Sequence, residues 1–136
     1  MNRQFLLIII IAGVFAAGMA SAQQNRPYNQ IMKDVGATFA SLRKNLDANG
    51  AVAAAEDAAK LEGLFTETEA FWARLNTRDA IGFAKSAREA SAAVGAAAKN
   101  NDIKAAQASI ATVQKSCGLC HFSHREETDK GFLIKP

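Results

Sequence analysis

Apolar residues recur at alternating steps of three and four along four stretches of the chain after Gln23. On an α-helix this spacing places a single apolar stripe along one face. No segment shows the sustained alternation of apolar and polar residues that is typical of a strand, so the pattern predicts an all-α chain. The predicted stripes are Tyr28, Met32, Val35, Phe39, Leu42 and Leu46; Ala54, Ala58, Leu61, Leu64, Phe65 and Thr68; Phe83, Ala87, Ala90, Val94 and Ala97; and Ile103, Ala106, Ile110, Val113, Cys117 and Cys120.

Short polar segments separate the four predicted helices. Asp47 to Gly50 has the composition of a turn, Asn76-Thr77 can cap the third helix, and Asn100 to Asp102 can end that helix and cap the fourth. The longest predicted connection is the second, around Glu69 to Asn76. Mostly short loops predict an antiparallel up-down-up-down four-helix bundle. The second and third stripes are largely Ala, so those helices either pack closely or leave space for a bulky apolar group.

Residues 1–22 have the features of a secretory signal peptide. Arg3 is followed by an apolar run from Phe5 to Ala17, and Ala20-Ser21-Ala22 matches the small-x-small cleavage pattern. A transmembrane anchor is the alternative, but spanning a bilayer takes about 20 apolar residues and this run is shorter. We expect cleavage before Gln23, a mature domain of residues 23–136, and export to a bacterial periplasm without stable membrane insertion afterwards.

Composition narrows the classes of function. A chain of 136 residues accommodates one domain besides a signal peptide and is too short for a TIM barrel. The formal net charge is +3 and both signs are spread along the chain, so no basic stripe indicates a nucleic-acid partner. No pair of carboxylates suggests acid–base catalysis.

The segment Cys117 to His121 reads C-x-x-C-H, which is the attachment pattern of haem c. At 3.6 residues per turn, Cys117, Cys120 and His121 share one side of a helix. Two thiols there can form thioether bonds to haem vinyl groups while the imidazole reaches the iron. The alternatives are a thioredoxin-like redox pair and a zinc site of the same three residues with His124. We predict one covalent haem c.

The position of this motif, at the end of the fourth helix of a bundle, resembles that of the class II cytochromes c, the cytochrome c′ family. The resemblance covers Tyr28 to Glu127. Family members follow the motif with two variable residues, an aromatic residue and Arg. The resemblance therefore implies that Arg125 lies near the haem edge and propionates. His124 replaces the usual aromatic residue and either fills space or forms hydrogen bonds there.

Two further segments carry the resemblance. Phe71-Trp72-Ala73, before the third helix, is similar to a family segment and implies that Trp72 packs beside the haem; ordinary core packing is the alternative. Met32 precedes Gly36 by four residues, which resembles the spacing of the ligating Met in the low-spin subgroup. The resemblance thus implies that Met32 is the distal iron ligand, whereas Met at helical spacing otherwise belongs to a core. Gly36 either allows close approach or is merely tolerated.

These expectations combine into one function and two alternatives. The resemblance implies a periplasmic monohaem cytochrome that carries one electron, is not an enzyme, and meets redox partner proteins; a homodimer is also compatible with it. In the first alternative, Met32 only covers a five-coordinate iron that binds nitric oxide or carbon monoxide. In the second, the C-x-x-C pair serves a haem-free redox or metal-binding module. The sequence does not decide whether the apolar tail from Gly131 to Pro136 docks on the bundle.

Overall fold

A computed structural model describes residues 26–136 as four α-helices followed by a β-hairpin. The predicted signal peptide and its cleavage site lie outside the described residues. The helical part confirms the predicted four-helix bundle, whereas the two-stranded antiparallel hairpin was not predicted. The elements are α1 (Tyr28–Asp47), α2 (Ala51–Arg74), α3 (Arg78–Lys99), α4 (Ile103–His124), β1 (Arg125–Thr128) and β2 (Gly131–Ile134).

The three connections between helices share one backbone conformation. Each has three residues, 48–50, 75–77 and 100–102, and the middle residue is always Asn. Asn49, Asn76 and Asn101 have φ of 55°, 55° and 57°, the left-handed region that Asn tolerates better than most residues. The N–H of each following residue bonds the carbonyl five residues earlier, which closes the helix end as in a Schellman motif.

The end of α2 corrects one prediction. The predicted connection from Glu69 to Asn76 is helical as far as Arg74, so Trp72 lies inside α2 and not in a loop before α3. Trp72 follows the buried Thr68 by one turn and is itself buried, which shows that the inward face of α2 continues beyond the predicted stripe. The predicted cap of α3 is not formed by a side chain, because Thr77 occupies the N-cap position without a side-chain capping hydrogen bond. The predicted cap of α4 is confirmed, since the Asp102 side chain accepts a hydrogen bond from the Ala105 N–H at 2.9 Å.

The Ala-rich stripes pack closely. The contact between α2 and α3 is the most extensive in the bundle, and a Cβ added at Gly95 would lie 3.5 Å from that of Ala58. By contrast, α1 and α4 are barely in contact. The separation of α1 from α4 therefore leaves open space between these two helices.

The predicted stripes contain both fully buried and partly buried residues. In α1, Val35, Leu42 and Leu46 are buried, whereas Tyr28 and Met32 are only partly buried. Phe39 of α1 is also partly buried. In α2 to α4 the fully buried members of the predicted stripes are Ala54, Ala58, Leu61, Leu64, Phe65, Thr68, Ala87, Ala90, Val94, Ala106 and Val113, and the partly buried members are Phe83, Ala97, Ile103, Ile110, Cys117 and Cys120. None of the helices between residues 28 and 124 is long and apolar enough to cross a membrane.

Candidate functional site

A cavity of about 590 Å³ lies where α1 and α4 separate. Its volume is within the range of about 300–1,000 Å³ that is usual for sites of small molecules and cofactors. All six site residues predicted from the sequence line this cavity, although they come from α1, α2, α4 and the start of β1. They are Met32, Trp72, Cys117, Cys120, His121 and Arg125.

The α4 wall carries the C-x-x-C-H motif in the last two turns of the helix. Cys117 and Cys120 are free thiols and are partly buried, while His121 lines the cavity but remains exposed as a whole. Burial raises the pKa of the Cys117 thiol, and burial, helped by Cys117 and Asp79, raises the pKa of Cys120 to about 11. Partial burial and then the charge of Arg125 lower the pKa of His121. The wall therefore presents two neutral thiols and favours a neutral imidazole, the form that binds a metal.

These properties bear on the two haem-free alternatives. A thiol redox pair needs a lowered thiol pKa, and both thiols here have raised values. A zinc site would need His124, but both of its ring nitrogens face other partners. Within residues 26–136 no group of three His, Cys, Asp or Glu residues is arranged to hold a metal ion.

The α1 wall contributes Met32, Gly36 and Phe39. Met32 is partly buried and packs against the core at one side of the cavity. A Cβ added at Gly36 would meet no atom within 4 Å, so this glycine leaves open space in the wall rather than permitting a tight contact with another helix. Met32 and His121 thus face one cavity from two different helices.

An aromatic cluster forms the end of the cavity near the start of α1. The buried Trp72 indole donates a hydrogen bond from Nε1 to the Tyr28 hydroxyl at 3.0 Å. Tyr28 also stacks on Phe71 with ring centroids 4.1 Å apart. The cluster holds the first turn of α1 against the last turn of α2. The sequence indicated Tyr28 only as a member of the α1 stripe, because a hydrogen bond across 44 residues leaves no local pattern.

The C-terminal hairpin supplies the part of the lining that the sequence missed. Phe132, Leu133 and Ile134 of β2 line the cavity beside Arg125. The Arg125 guanidinium lies 3.5 Å from the centroid of the Phe132 ring, which is a cation–π contact. Within residues 26–136 Arg125 makes no ion pair, so its N–H groups are available to an anionic group at the cavity rim. The only sequence signal for the hairpin was the unusually apolar tail.

His124 is buried at the junction of α3, α4 and the tail. Its Nδ1 lies 2.7 Å from the Lys135 carbonyl oxygen and its Nε2 lies 3.0 Å from Asp79 Oδ2. The ring also packs on Trp72, with centroids 5.1 Å apart. His124 therefore both packs against its neighbours and forms hydrogen bonds.

No protein-family model matches the chain, and no curated protein matches it. The resemblance to the class II cytochromes c rests on the motif, on its position in the fourth helix, and on the residues quoted for it above.

Proposed function

We propose that this chain is a periplasmic monohaem c-type cytochrome that carries single electrons between redox partner proteins. The observation that supports this most strongly is the convergence of the C-x-x-C-H motif and Met32 on one apolar cavity between two separated helices. Haem is a large apolar group, and a bundle core that opens on one side offers it walls without unpaired polar groups.

The residues at the cavity fit haem c. Cys117 and Cys120 would hold it through thioether bonds, His121 would bind the iron from α4, and Met32 would bind it from α1. When bound, the haem supplies an iron centre that alternates between the ferric and ferrous states. Methionine sulfur is a soft ligand, and His/Met ligation raises the potential of that couple.

The remaining lining residues have supporting roles in this proposal. Arg125 offers guanidinium N–H groups to haem propionates at the rim, and its contact with Phe132 fixes its direction. Phe39, Phe65 and Trp72 exclude water from the cavity, and a dry apolar surrounding is one of the factors that set a haem potential. If His121 and Met32 both bound the iron, no iron position would be left for a substrate, which suits a carrier.

Visible spectra of the exported, purified protein test the proposal. The dithionite-reduced protein should show a sharp α-band that carbon monoxide does not change, and the haem should stay attached in acidic acetone. In Met32→Leu, which keeps an apolar side chain of similar size but lacks sulfur, carbon monoxide should bind. Phe39→Leu is the matched control on the same wall: it keeps both proposed iron ligands, so carbon monoxide should leave its spectrum unchanged.

Other results would favour the gas-binding alternative or contradict haem binding. A broad high-spin spectrum that shifts with carbon monoxide in the wild type would indicate the gas-binding alternative, in which Met32 only covers the iron. A colourless protein from a host that attaches haem c to other chains would contradict haem binding altogether. Cys117→Ala combined with Cys120→Ala should abolish covalent attachment.

A further inference from the structure

The C-terminal hairpin begins directly after the end of α4 and lies beside the cavity. Residues 125–135, which we call the C-terminal lid, fold back from the end of α4 so that Phe132, Leu133 and Ile134 line the cavity. These side chains are exposed as a whole, although they are among the most apolar in the chain. A group held in the cavity would cover the part of their surface that faces it.

The lid is attached to the bundle through His124. The Lys135 N–H donates a hydrogen bond to the His124 carbonyl oxygen at 2.9 Å, and the Lys135 carbonyl oxygen lies 2.7 Å from His124 Nδ1. At its other nitrogen, the ring meets Asp79 in the first turn of α3 at 3.0 Å. One buried side chain thus connects the end of the lid to two helices of the bundle.

Both ring contacts of His124 require a donor on the ring. A backbone carbonyl only accepts, and an ionised carboxylate only accepts. Hydrogen bonding to His124 lowers the pKa of Asp79, which keeps that carboxylate ionised. Both contacts are hydrogen bonds at once only when the imidazole carries both protons, and hydrogen bonds that involve charged partners are the stronger ones.

We propose that the C-terminal lid is a wall of the haem site and that His124 is the positioning residue that holds it closed. The lid covers the cavity with apolar side chains and restricts the access of water and small ligands to it. That the occupant is haem rests on the proposed function above. The attachment of the lid through His124 rests only on contacts within the chain and is tested separately.

Hydrogen–deuterium exchange of the exported protein as purified, whether or not it carries haem, tests the attachment. His124→Phe keeps an aromatic ring against Trp72 but removes both ring hydrogen bonds. We expect backbone amides of residues 125–135 to exchange faster by about tenfold or more, as the loss of two hydrogen bonds implies, while those of α2 and α3 stay unchanged. Phe122→Ala is the control, because this exposed side chain on α4 does not line the cavity.

A second variant removes the attachment without changing the core. Lys135→Pro deletes the N–H that bonds the His124 carbonyl, and the preceding residue, Ile134, is already extended as proline requires. It should loosen the same amides. Unchanged exchange in both variants, or lid amides that exchange in the wild type as fast as in an unfolded chain, would overturn the role of His124.

The rate of imidazole binding to the ferric haem, measured in a Met32→Leu background so that the iron has an open position, tests whether the lid is a wall of the site. Leu133→Ser places a polar group in the lid where it lines the cavity, and we expect imidazole to bind severalfold faster. Val52→Ser is the control, since Val52 is exposed on α2, outside the motif, and does not line the cavity. Equal rates in the two variants would show that the lid does not cover the site. If no haem attaches, the proposed function fails, and the exchange measurement still decides whether His124 holds the lid.

Discussion

The Trp72 indole nitrogen donates a hydrogen bond to the Tyr28 hydroxyl at 3.0 Å, and this bond joins the last turn of α2 to the first residue of α1. Trp72 is 1% exposed, so its N–H has no access to solvent. Burial raises the pKa of Tyr28, which keeps the hydroxyl neutral over the physiological range. Since both residues line the cavity, the bond also fixes the spacing of the two helices at that end of the site.

Removing the Tyr28 hydroxyl should destabilise the fold. Tyr28→Phe keeps the ring that stacks on Phe71 but leaves the buried Trp72 N–H without a partner. An unpaired buried donor costs about 1–3 kcal/mol of the free energy of unfolding. Urea unfolding followed by circular dichroism measures the loss. Ser123→Ala, which removes an exposed hydroxyl on α4, is the control, and equal stabilities of the two variants would contradict the prediction.

The left-handed conformation of the loop asparagines predicts that two substitutions at one position change the stability of the fold by different amounts. Asn76 has φ of 55°, a conformation that glycine adopts freely and that costs a β-branched residue about 1–2 kcal/mol. Asn76→Gly should therefore unfold at a urea concentration close to that of the wild type, and Asn76→Val at a clearly lower one. The corresponding pair at Asn49 or Asn101 should repeat the result. Equal loss in both variants would mean that the Asn side chain, and not φ, is what matters.

An ion-pair cluster near the start of α1 predicts a dependence of stability on acid. The Arg26 guanidinium forms two hydrogen bonds of 3.0 Å with the Glu67 carboxylate, and its Nη1 lies 2.6 Å from Asp34 Oδ2. The hydrogen bond from Arg26 holds the pKa of the Asp34 carboxyl below its ordinary value. As the pH falls below about 4, the unfolded chain binds a proton at Asp34 before the folded chain does, so the free energy of unfolding decreases.

Asp34→Asn should reduce that loss. The difference between urea midpoints at pH 7 and pH 3 should be smaller in this variant than in the wild type, because the asparagine does not titrate. Asp129→Asn is the control, since Asp129 lies in the turn of the hairpin and makes no ion pair within the described part of the chain. An unchanged difference in Asp34→Asn would show that this carboxylate contributes nothing to acid stability.

The helices and their loops could be predicted because their signals are local. Apolar spacing places α1 to α4, and an Asn lies at the centre of each connection. The end of α2 was predicted too early because the predicted stripe stopped at Thr68, although Trp72, one turn further on, continues it. A stripe also does not distinguish a core from a cavity: Leu42 and Met32 belong to the same predicted face, yet Leu42 packs in the core away from the cavity and Met32 lines it.

The hairpin and the role of His124 could not be predicted, because they depend on contacts that the sequence does not order. Strands of four residues are too short for an alternating pattern to be recognised. The partners of His124 are 45 residues before it and 11 residues after it, and nothing near it in the chain specifies them. The motif residues were placed correctly at one helix end, while the walls that surround them needed the structure.

The thiols of the chain prepared without haem should react slowly at neutral pH. Burial raises the pKa of Cys120 to about 11, and only the thiolate is nucleophilic. Cys117→Ala isolates Cys120 while leaving burial, the largest cause of the shift, in place. At pH 8 we expect alkylation of Cys120 by iodoacetamide to be slower in the folded chain than in urea by about a hundredfold, given a free thiol pKa of about 8.5. The folded rate should then rise about tenfold per pH unit up to pH 11. Equal rates with and without urea would reveal a reactive thiolate, which would favour the haem-free redox module over a cytochrome.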